Sequence, residues 1–352
     1  MRLRAQLRRR RLNVLGPIEA PAAPAHPRPV RAVRLSVTDR CDLACSYCRS
    51  DSAPELLWAR EKLTPSDWAA LVRALVGHGV SRVRLTGGEP LAHPKIVEIV
   101  ERIAAIPGVC DLALSTNGVR LSSLAGALRA AGLQRLNVSV PSVSPDRFRT
   151  LTGGGRLEDV VAGLEAARAA GFDELKTNTL VVRAVPGAAG NEDELVDIAR
   201  WAWSAGLTPR FLELMPVGSG AYDRDRFVPY ARMYARLAGL VHPTPAARRS
   251  DRGPAVYYPA RDGSGRTIGF ITGVTRPFCA DCDRLRVTSD GFLRPCLATR
   301  QSVEVRAAVK LRDRAAMSRA IEAAWACKPD GRIWQGCAEE SAARVCMRTA
   351  GA

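Results

Sequence analysis

Short apolar, β-branched runs alternate with longer stretches of helical periodicity along most of the chain. The apolar runs predict strands at about 32–38, 81–86, 111–116, 135–140, 174–183 and 208–214. The stretches between them predict helices at about 65–78, 93–106, 120–132, 156–171 and 191–206. Strands that alternate with helices favour a parallel sheet, so six such units predict an α/β fold, a partial (β/α)6 barrel of the TIM type.

The alternation ends near residue 240. A loop rich in proline and glycine follows, and then short predicted strands at 256–258, 267–271 and 285–288 and a final helical region at 312–327. We therefore predict three regions: a basic, Pro-rich disordered arm at 1–25, a core barrel at 26–247, and an α+β C-terminal domain at 248–352.

Composition narrows the class of protein. The apolar fraction of 47% suits a globular core, and we find neither an apolar run long enough to span a bilayer nor a signal-peptide pattern. The net charge is +17, and six arginines fall within residues 1–11. A charge of this size indicates binding of an anionic ligand or of nucleic acid, or it reflects only an arginine-biased composition. We expect no membrane partner and no specific nucleic acid partner.

Polar and glycine residues stand where the predicted strands end. They include the cysteines after the first strand, Gly87-Gly88-Glu89-Pro90 after the second, Ser115 and Ser139 near the ends of the third and fourth, Lys176 on the fifth, and Met215 after the sixth. Barrels place their active sites at the carboxyl ends of the strands. Each of these could be ordinary turn chemistry, but together they predict a site at one end of the barrel.

Three cysteines, Cys41, Cys45 and Cys48, follow the first strand at the spacing C-x3-C-x2-C. A 4Fe–4S cluster usually takes four thiolates, so three thiolates leave one iron open to another ligand. A zinc knuckle is the alternative, because short cysteine spacings also occur in zinc sites. Clustered thiols without a secretion signal indicate metal binding in a reducing compartment, so we expect a cytoplasmic protein.

A second group, Cys279, Cys282 and Cys296, has the spacing C-x2-C-x13-C and again offers three thiols. A zinc ribbon would need a second C-x2-C pair. Four further cysteines could supply another ligand, although none has a partner at motif spacing: Cys110, Cys327, Cys337 and Cys346. Of these, Cys110 is predicted to be a small buried residue.

The first cysteine group, with Tyr47 just before Cys48, resembles the cluster loop of radical S-adenosylmethionine (SAM) enzymes. Together with the second group and the Arg-Leu-Arg that follows it, the chain resembles the GTP 3′,8-cyclases that start molybdenum cofactor biosynthesis, over about residues 30–300. The resemblance implies a radical SAM barrel with a C-terminal auxiliary cluster domain. It also implies a lyase in which an electron from the first cluster cleaves SAM, the resulting 5′-deoxyadenosyl radical abstracts the ribose C3′ hydrogen of GTP, and C3′ attacks guanine C8.

The resemblance also assigns residues and partners. It implies two 4Fe–4S clusters, one on Cys41, Cys45 and Cys48 and an auxiliary one on Cys279, Cys282 and Cys296. It implies SAM binding by Tyr47, Gly88, Ser139 and Met215, and GTP binding by Arg34, Arg84, Ser115, Lys176, Arg284, Leu285 and Arg286. The cationic members of the last set suit a triphosphate. An electron donor such as flavodoxin or ferredoxin, a downstream cyclic pyranopterin monophosphate synthase and a homodimer are the further partners implied.

Some positions depart from the pattern of that family. Pro141 stands in place of an acidic residue, Asp283 in place of asparagine, and the chain ends Gly351-Ala352 instead of with two glycines. Two alternatives therefore stay open: a radical SAM enzyme with an auxiliary cluster that acts on another substrate such as a peptide, and a non-enzymatic zinc or nucleic-acid-binding protein.

Overall fold

The computed structural model describes residues 29–48, 62–217, 223–247, 253–299 and 301–329. The arm predicted at 1–25 and the Gly351-Ala352 tail lie outside the described residues, so both stay predictions. Within the described residues, no helix is long and apolar enough to cross a membrane.

The six predicted βα units are present. Their strands are β1 Ala32–Ser36, β2 Arg82–Thr86, β3 Asp111–Thr116, β4 Arg135–Ser139, β5 Leu175–Val181 and β6 Thr208–Glu213. The helices are α1 Pro65–Gly77, α2 Ile96–Ala104, α3 Leu121–Ala130, α4 Pro145–Thr152, α5 Leu157–Ala169, α6 Leu195–Ser204 and α7 Tyr230–Leu237. Helices α4 and α7 were not predicted. Helix α4 carries Pro145 in its first turn and the left-handed Gly153 at its end, which are local signals of a helix start and stop.

The C-terminal part adds β7 Val256–Pro259, β8 Thr267–Ile271, β9 Arg284–Val287, β10 Phe292–Arg294 and β11 Val303–Glu304, followed by α8 Arg306–Lys310 and α9 Arg314–Ala326. All eleven strands form one sheet in the order β11-β10-β9-β1-β2-β3-β4-β5-β6-β8-β7. Strand β9 runs parallel to β1, and β8 runs parallel to β6. The C-terminal strands therefore extend both edges of the six-stranded parallel sheet, as a partial α/β barrel allows.

The two faces of the sheet differ in chemistry because side chains alternate along each strand. Val33, Leu35, Val83 and Leu85 lie on one face and pack into the main hydrophobic core with helix residues such as Trp68. The opposite face, which we call the polar face, carries the arginines, Lys176 and the strand serines. This alternation on β1 and β2 positions the charged residues at the site described below.

Cys110 does not lie in the core. Its side chain is exposed, so the prediction of a buried cysteine is wrong. The residue stands in the turn that precedes β3, and its thiol donates to the carbonyl of Gly108 at 3.6 Å. The buried residues of β3 begin two residues later, at Leu112.

Candidate functional site

The first cysteine loop lies against the end of α4. The amide of Ala44 donates to the carbonyl of Thr152 at 2.9 Å, and the amide of Ser46 donates to the carbonyl of Leu151 at 3.0 Å. Gly153 has a φ of +69°, and a Cβ there would lie 2.7 Å from the carbonyl oxygen of Ala44. Only glycine allows both this backbone angle and this approach, so the unpredicted α4 is part of what positions the cysteines.

A side-chain anchor holds the other side of the loop. Asp42, next to Cys41, accepts from the Asn117 carboxamide at 2.7 Å and from Arg120 Nε at 2.9 Å. Asn117 follows β3 and Arg120 precedes α3, so the loop after the first strand is tied to the loop after the third. This contact brings two of the predicted strand-end segments together.

The Gly87-Gly88 turn packs on the backbone that leads into the first cysteine. The amide of Gly88 donates to the carbonyl of Thr38 at 2.8 Å, and a Cβ on Gly88 would lie 2.3 Å from the carbonyl oxygen of Arg40. The sequence predicts close approach of these glycines to a ligand. The structure shows that the turn closely approaches the chain's own backbone at Thr38 and at Arg40, the residue immediately before Cys41.

Glu89, the next residue, is a buried carboxylate in this region. It accepts from Thr116 Oγ1 at 2.7 Å and from the amides of Asn117 and Leu91 at 2.7 and 2.9 Å. Burial raises the pKa of Glu89 to about 7, although these three hydrogen bonds oppose the shift. The side chain links the turns after β2 and β3.

Cys45, the middle cysteine of the first set, has a poorly solvated thiol. Burial and the neighbouring Cys48 raise the pKa of Cys45 to about 12, against a hydrogen bond from Tyr47. Burial also raises the pKa of Tyr47, and Cys45 adds to the effect. Without a positive charge the protonated forms are favoured, so these thiols suit a metal group that replaces their protons.

The second cysteine set lies at the open end of the β9–β10 hairpin. Cys279 and Cys282 flank a single helical turn in which the amide of Cys282 donates to the carbonyl of Cys279 at 2.9 Å. Cys296 follows β10, and its Sγ accepts from the amide of Ala298 at 3.4 Å. Burial opposes ionisation of Cys282, but Arg284 and Lys328 outweigh it and lower the pKa of this thiol to about 6.

Both sets offer the donor atoms that an iron–sulfur cluster uses. All eight cysteines among the described residues are thiols. In that part of the chain, no three His, Cys, Asp or Glu side chains are grouped closely enough to hold one metal ion. A four-iron cluster takes each thiolate on a different iron atom, so three thiolates would leave one iron open to another ligand.

Four arginines form a row across the polar face. The strand registers align Arg294 of β10 with Arg286 of β9, Arg286 with Arg34 of β1, and Arg34 with Arg84 of β2. Neighbouring strands are about 4.8 Å apart, so the row concentrates positive charge over a short distance. Two of its members, Arg34 and Arg84, form no ion pair with a carboxylate among the described residues.

The electrostatics of the row reflect this crowding. Burial, and then the charges of Arg286, Arg284 and Arg84, lower the pKa of Arg34. Burial and neighbouring arginines likewise lower the pKa of Arg84 to about 9 and that of Arg286 to about 10. The lowered pKa values reflect repulsion between buried cations that lie close together. A polyanionic ligand would offset this repulsion.

Two other cations on the polar face, Arg82 and Arg135, are neutralised by carboxylates. Arg82 pairs with Asp283, and Arg135 pairs with Asp111. Asp283, where the family pattern has asparagine, therefore acts here as the counter-ion of Arg82. Arg82 and Arg135 thus form ion pairs within the protein, whereas Arg34 and Arg84 form none with a carboxylate of the described residues.

Two of the predicted GTP residues, Ser115 on β3 and Lys176 on β5, lie further along the polar face, as does Ser139 of β4, which was predicted for SAM. Each is half-buried, and Asn137 of β4 is aligned with both Ser115 and Lys176. Burial and Arg210 lower the pKa of Lys176 to about 8, against Glu174 at 3.4 Å.

Arg210 of β6 also lies on the polar face, although the sequence motifs did not indicate it as a site residue. It is buried on the same face, donates to the Asn137 carboxamide, and has a buried Nε without a partner among the described residues. Alternation along β6 places Arg210 on the polar face, but only the register of the sheet brings it near Lys176.

Leu285 lies on the opposite face. Its side chain is fully buried in the main core and aligned with Val33, between the polar-face residues Arg284 and Arg286. The side chain of Leu285 therefore points away from the polar face, because neighbouring residues of a strand point to opposite faces. The prediction that Leu285 binds GTP stays a prediction that concerns its backbone. Its backbone remains the only part that could contribute. Arg284 stacks over the Phe278 ring at 5.0 Å.

Met215 follows β6 and contacts the segment that leads to the second cysteine set. A Cβ on Gly273 would lie 2.8 Å from the sulfur of Met215. The nearby Glu213 is buried and accepts from the amides of Val274 and Thr275 at 2.9 and 3.0 Å. The end of β6 is thereby joined to the loop that precedes Cys279.

Comparison with known proteins identifies the relatives of the chain. The Radical SAM superfamily profile matches residues 35–202, and the profile described as Molybdenum Cofactor Synthesis C matches residues 207–334. The chain is 40% identical over 285 residues to a GTP 3′,8-cyclase of Pelotomaculum thermopropionicum, covering 80% of this chain and 86% of that protein. It is 37% identical over 313 residues to a GTP 3′,8-cyclase of Geobacter sulfurreducens, covering 89% of this chain and 94% of that protein.

Among solved structures, the chain is similar to Streptococcus suis SuiB bound to S-adenosylmethionine, with a TM-score of 0.58 and 13% identity. The match covers 89% of this chain and 66% of SuiB, so the chain spans just under two thirds of that protein's length. SuiB bound to its precursor peptide SuiA matches with a TM-score of 0.59 and 14% identity. At such identities the likeness concerns the fold alone.

Proposed function

The chain belongs to the GTP 3′,8-cyclase family within the radical SAM superfamily, and we propose that it converts GTP to (8S)-3′,8-cyclo-7,8-dihydroguanosine 5′-triphosphate. The reaction makes it a lyase of molybdenum cofactor biosynthesis that uses two 4Fe–4S clusters and SAM. Family membership removes the non-enzymatic zinc or nucleic-acid-binding alternative. The alternative of a peptide substrate lacks support, because the likeness to a peptide-bound structure extends only to the fold.

The row of arginines on the polar face is the observation that supports GTP as the substrate. Arg34 and Arg84 are half-buried, aligned on adjacent strands and not neutralised by carboxylates of the described residues. A triphosphate supplies several negative charges and many acceptor oxygens at once, which matches a row of guanidinium groups better than a single carboxylate does. We therefore propose that Arg34, Arg84, Arg286 and Lys176 bind the triphosphate.

Arg210 belongs in this set as well, because its unpartnered Nε lies on the same face. Arg284 stacks on Phe278, beside the second cysteine set, and Ser115 offers a hydroxyl on β3. We propose that these two residues contact the nucleoside part of GTP, together with the backbone of Leu285. Their fixed positions would orient the ribose, and correct orientation of reacting groups is a large part of catalysis.

We further propose that Cys41, Cys45 and Cys48 hold the SAM-binding cluster and that Cys279, Cys282 and Cys296 hold the auxiliary cluster. When bound, the first cluster and SAM supply the radical that removes the C3′ hydrogen. Tyr47, Gly88, Ser139 and Met215 are proposed to surround SAM. Tyr47 packs against a small apolar cluster that includes Leu214, the neighbour of Met215, so this side of the site excludes water.

The partners of the enzyme follow from this chemistry. We propose an electron donor such as flavodoxin or ferredoxin, delivery of the product to a cyclic pyranopterin monophosphate synthase, and assembly as a homodimer. We also propose a cytoplasmic location, because the thiols of both sets are needed in reduced form.

Calorimetry of an Arg286 variant tests the substrate site. A charge-assisted hydrogen bond contributes about 1.5–3 kcal/mol, so Arg286→Ala should weaken GTP binding by about 10- to 150-fold and leave SAM binding unchanged. Arg261→Ala is the matched control, because Arg261 Nε donates to the carbonyls of Ala238 and Val241, which are not part of the proposed site. Equal GTP affinities in the wild type and the Arg286 variant would contradict the proposed site.

A further inference from the structure

We propose that Lys328 is a positioning residue of the auxiliary cluster site: its buried ammonium ties together the two segments that carry the cysteines and holds a positive charge beside them. This inference rests on the proposed function, because it takes Cys279, Cys282 and Cys296 as the ligands of that cluster. Lys328 lies just after α9 and did not figure in the sequence analysis. Its residue is only 2% exposed, which is unusual for a lysine.

The ammonium joins two points that are far apart in the sequence. Lys328 Nζ donates to the carbonyl of Arg284 at 2.8 Å and to the carbonyl of Pro295 at 2.8 Å. Arg284 stands two residues after Cys282, and Pro295 stands immediately before Cys296. One side chain therefore bridges both cysteine-bearing segments.

The bridge lies beyond the last residue pair of the β9–β10 hairpin. Arg286 and Arg294 form that last pair, on the side toward the cysteines. The carbonyls of Arg284 and Pro295 belong to the residues beyond it on the two segments. Lys328 closes this open end, so the separation of the two cysteine segments depends on a residue from the end of α9.

The charge of Lys328 has no carboxylate partner among the described residues. Its neighbours there are the two carbonyls, the Trp325 ring at 5.2 Å and the thiol of Cys282, to which it hydrogen-bonds. A buried ammonium is costly unless negative charge lies close by. Thiolates that hold an iron–sulfur cluster would supply that charge, so the lysine and the cluster stabilise each other.

Two measurable consequences follow. Hydrogen bonds and positive charge near cluster sulfurs favour the reduced, more negative form, so Lys328 should raise the reduction potential of the auxiliary cluster. Because the same side chain fixes the two segments, it should also slow the loss of iron. If Lys328 only filled space in the core, its replacement would lower the melting temperature without changing the reduction potential of the cluster.

The test uses the full chain with Cys41, Cys45 and Cys48 replaced by alanine, so that only the auxiliary cysteines can hold a cluster. In this background we compare Lys328→Met, which keeps the length and packing, with Lys328→Arg, which keeps the charge. Lys310→Met is the control, because Lys310 also donates to a backbone carbonyl, that of Lys62, and pairs with Asp67 away from the cysteines. The readouts are the midpoint potential from an electron paramagnetic resonance titration, the rate of iron loss to a chelator, and the melting temperature.

We expect Lys328→Met to lower the midpoint potential and to speed iron loss several-fold, and Lys328→Arg to restore the potential of the parent. Complete loss of iron in Lys328→Met also supports the proposal, provided that the protein melts no lower than Lys310→Met. A parental potential and rate in Lys328→Met, or the same changes in Lys310→Met, would overturn the inference. Absence of a four-iron signal in the parent itself would instead overturn the proposed function, and the inference with it.

Discussion

Replacing Arg84 should make the protein more stable and a poorer binder of GTP. Arg84 lies in the arginine row next to Arg34, and its pKa falls from 12.5 to about 9 because burial and the charges of Arg210, Arg135 and Arg284 oppose its ionisation. The native state therefore carries an electrostatic cost that exists only while the site is empty. Methionine at this position keeps most of the side-chain length and removes the charge.

The size of the effect follows from that pKa. One pKa unit corresponds to about 1.4 kcal/mol, so a fall from 12.5 to about 9 corresponds to about 5 kcal/mol of destabilisation below pH 9. The cost is lost as the pH rises from about 9 to 12.5, because the native state then releases its proton first. The side chain is only half-buried, and water that reaches it screens the repulsion. We therefore expect Arg84→Met to gain about 1–2 kcal/mol, or a few degrees in melting temperature.

Thermal unfolding with and without GTP measures both effects on one sample. At a GTP concentration of about one hundred times the wild-type Kd, binding should stabilise the wild type by about 2.7 kcal/mol, and a tenfold weaker variant by about 1.4 kcal/mol. Arg135→Met is the control, because Arg135 is paired with Asp111 and its removal leaves that half-buried carboxylate without this cation. The reasoning is refuted if Arg84→Met is destabilised as much as Arg135→Met and still responds fully to GTP.

Further predictions concern the residues that position the site. Because Glu89 has a raised pKa of about 7, the native state binds more protons than the unfolded state between about pH 4.5 and 7. The contribution of Glu89 to the free energy of unfolding therefore falls by up to about 3 kcal/mol as the pH rises through this window. Glu89→Gln should flatten this pH dependence when the free energy of unfolding is measured by urea titration at several pH values. Gly153→Ala places a side chain in the left-handed region against Ala44 and should cost about 1–3 kcal/mol and reduce iron in the first cluster, whereas unchanged iron content would show that this contact does not position the cysteine loop. Glu213→Gln puts an amide donor where two backbone amides need an acceptor, so the free energy of unfolding should fall by about 2 kcal/mol or more; a variant as stable as the wild type would contradict the link between β6 and the loop before Cys279.

The alternation of apolar and polar residues along single strands predicts much of the fold and part of the site. The patterns of β1 and β2 predict both the core residues, such as Leu35 and Leu85, and the charged residues on the other face, such as Arg34 and Arg84. The same rule applied to β9 would have separated Leu285 from its arginine neighbours. Only the backbone of Leu285 is therefore available on the side of the sheet that carries the arginines.

The register between strands and the contacts between distant parts of the chain could not be predicted from the sequence. Arg210 joins the site only because β6 aligns with β5, and no local pattern distinguishes it from a surface arginine. Lys328 reaches its two carbonyls across 44 and 33 residues of sequence. The docking of the first cysteine loop likewise depends on the carbonyls of α4, which are present at the end of any helix and leave no mark in the side-chain sequence.

We propose that this chain couples SAM cleavage to the cyclisation of GTP. The most direct test incubates the reduced, cluster-loaded protein with SAM, with and without GTP, and measures 5′-deoxyadenosine and the cyclised nucleotide together. We predict that deoxyadenosine formation depends on GTP and that the cyclised product accumulates with it. Cleavage of SAM that proceeds equally without GTP and gives no cyclised product would contradict the account.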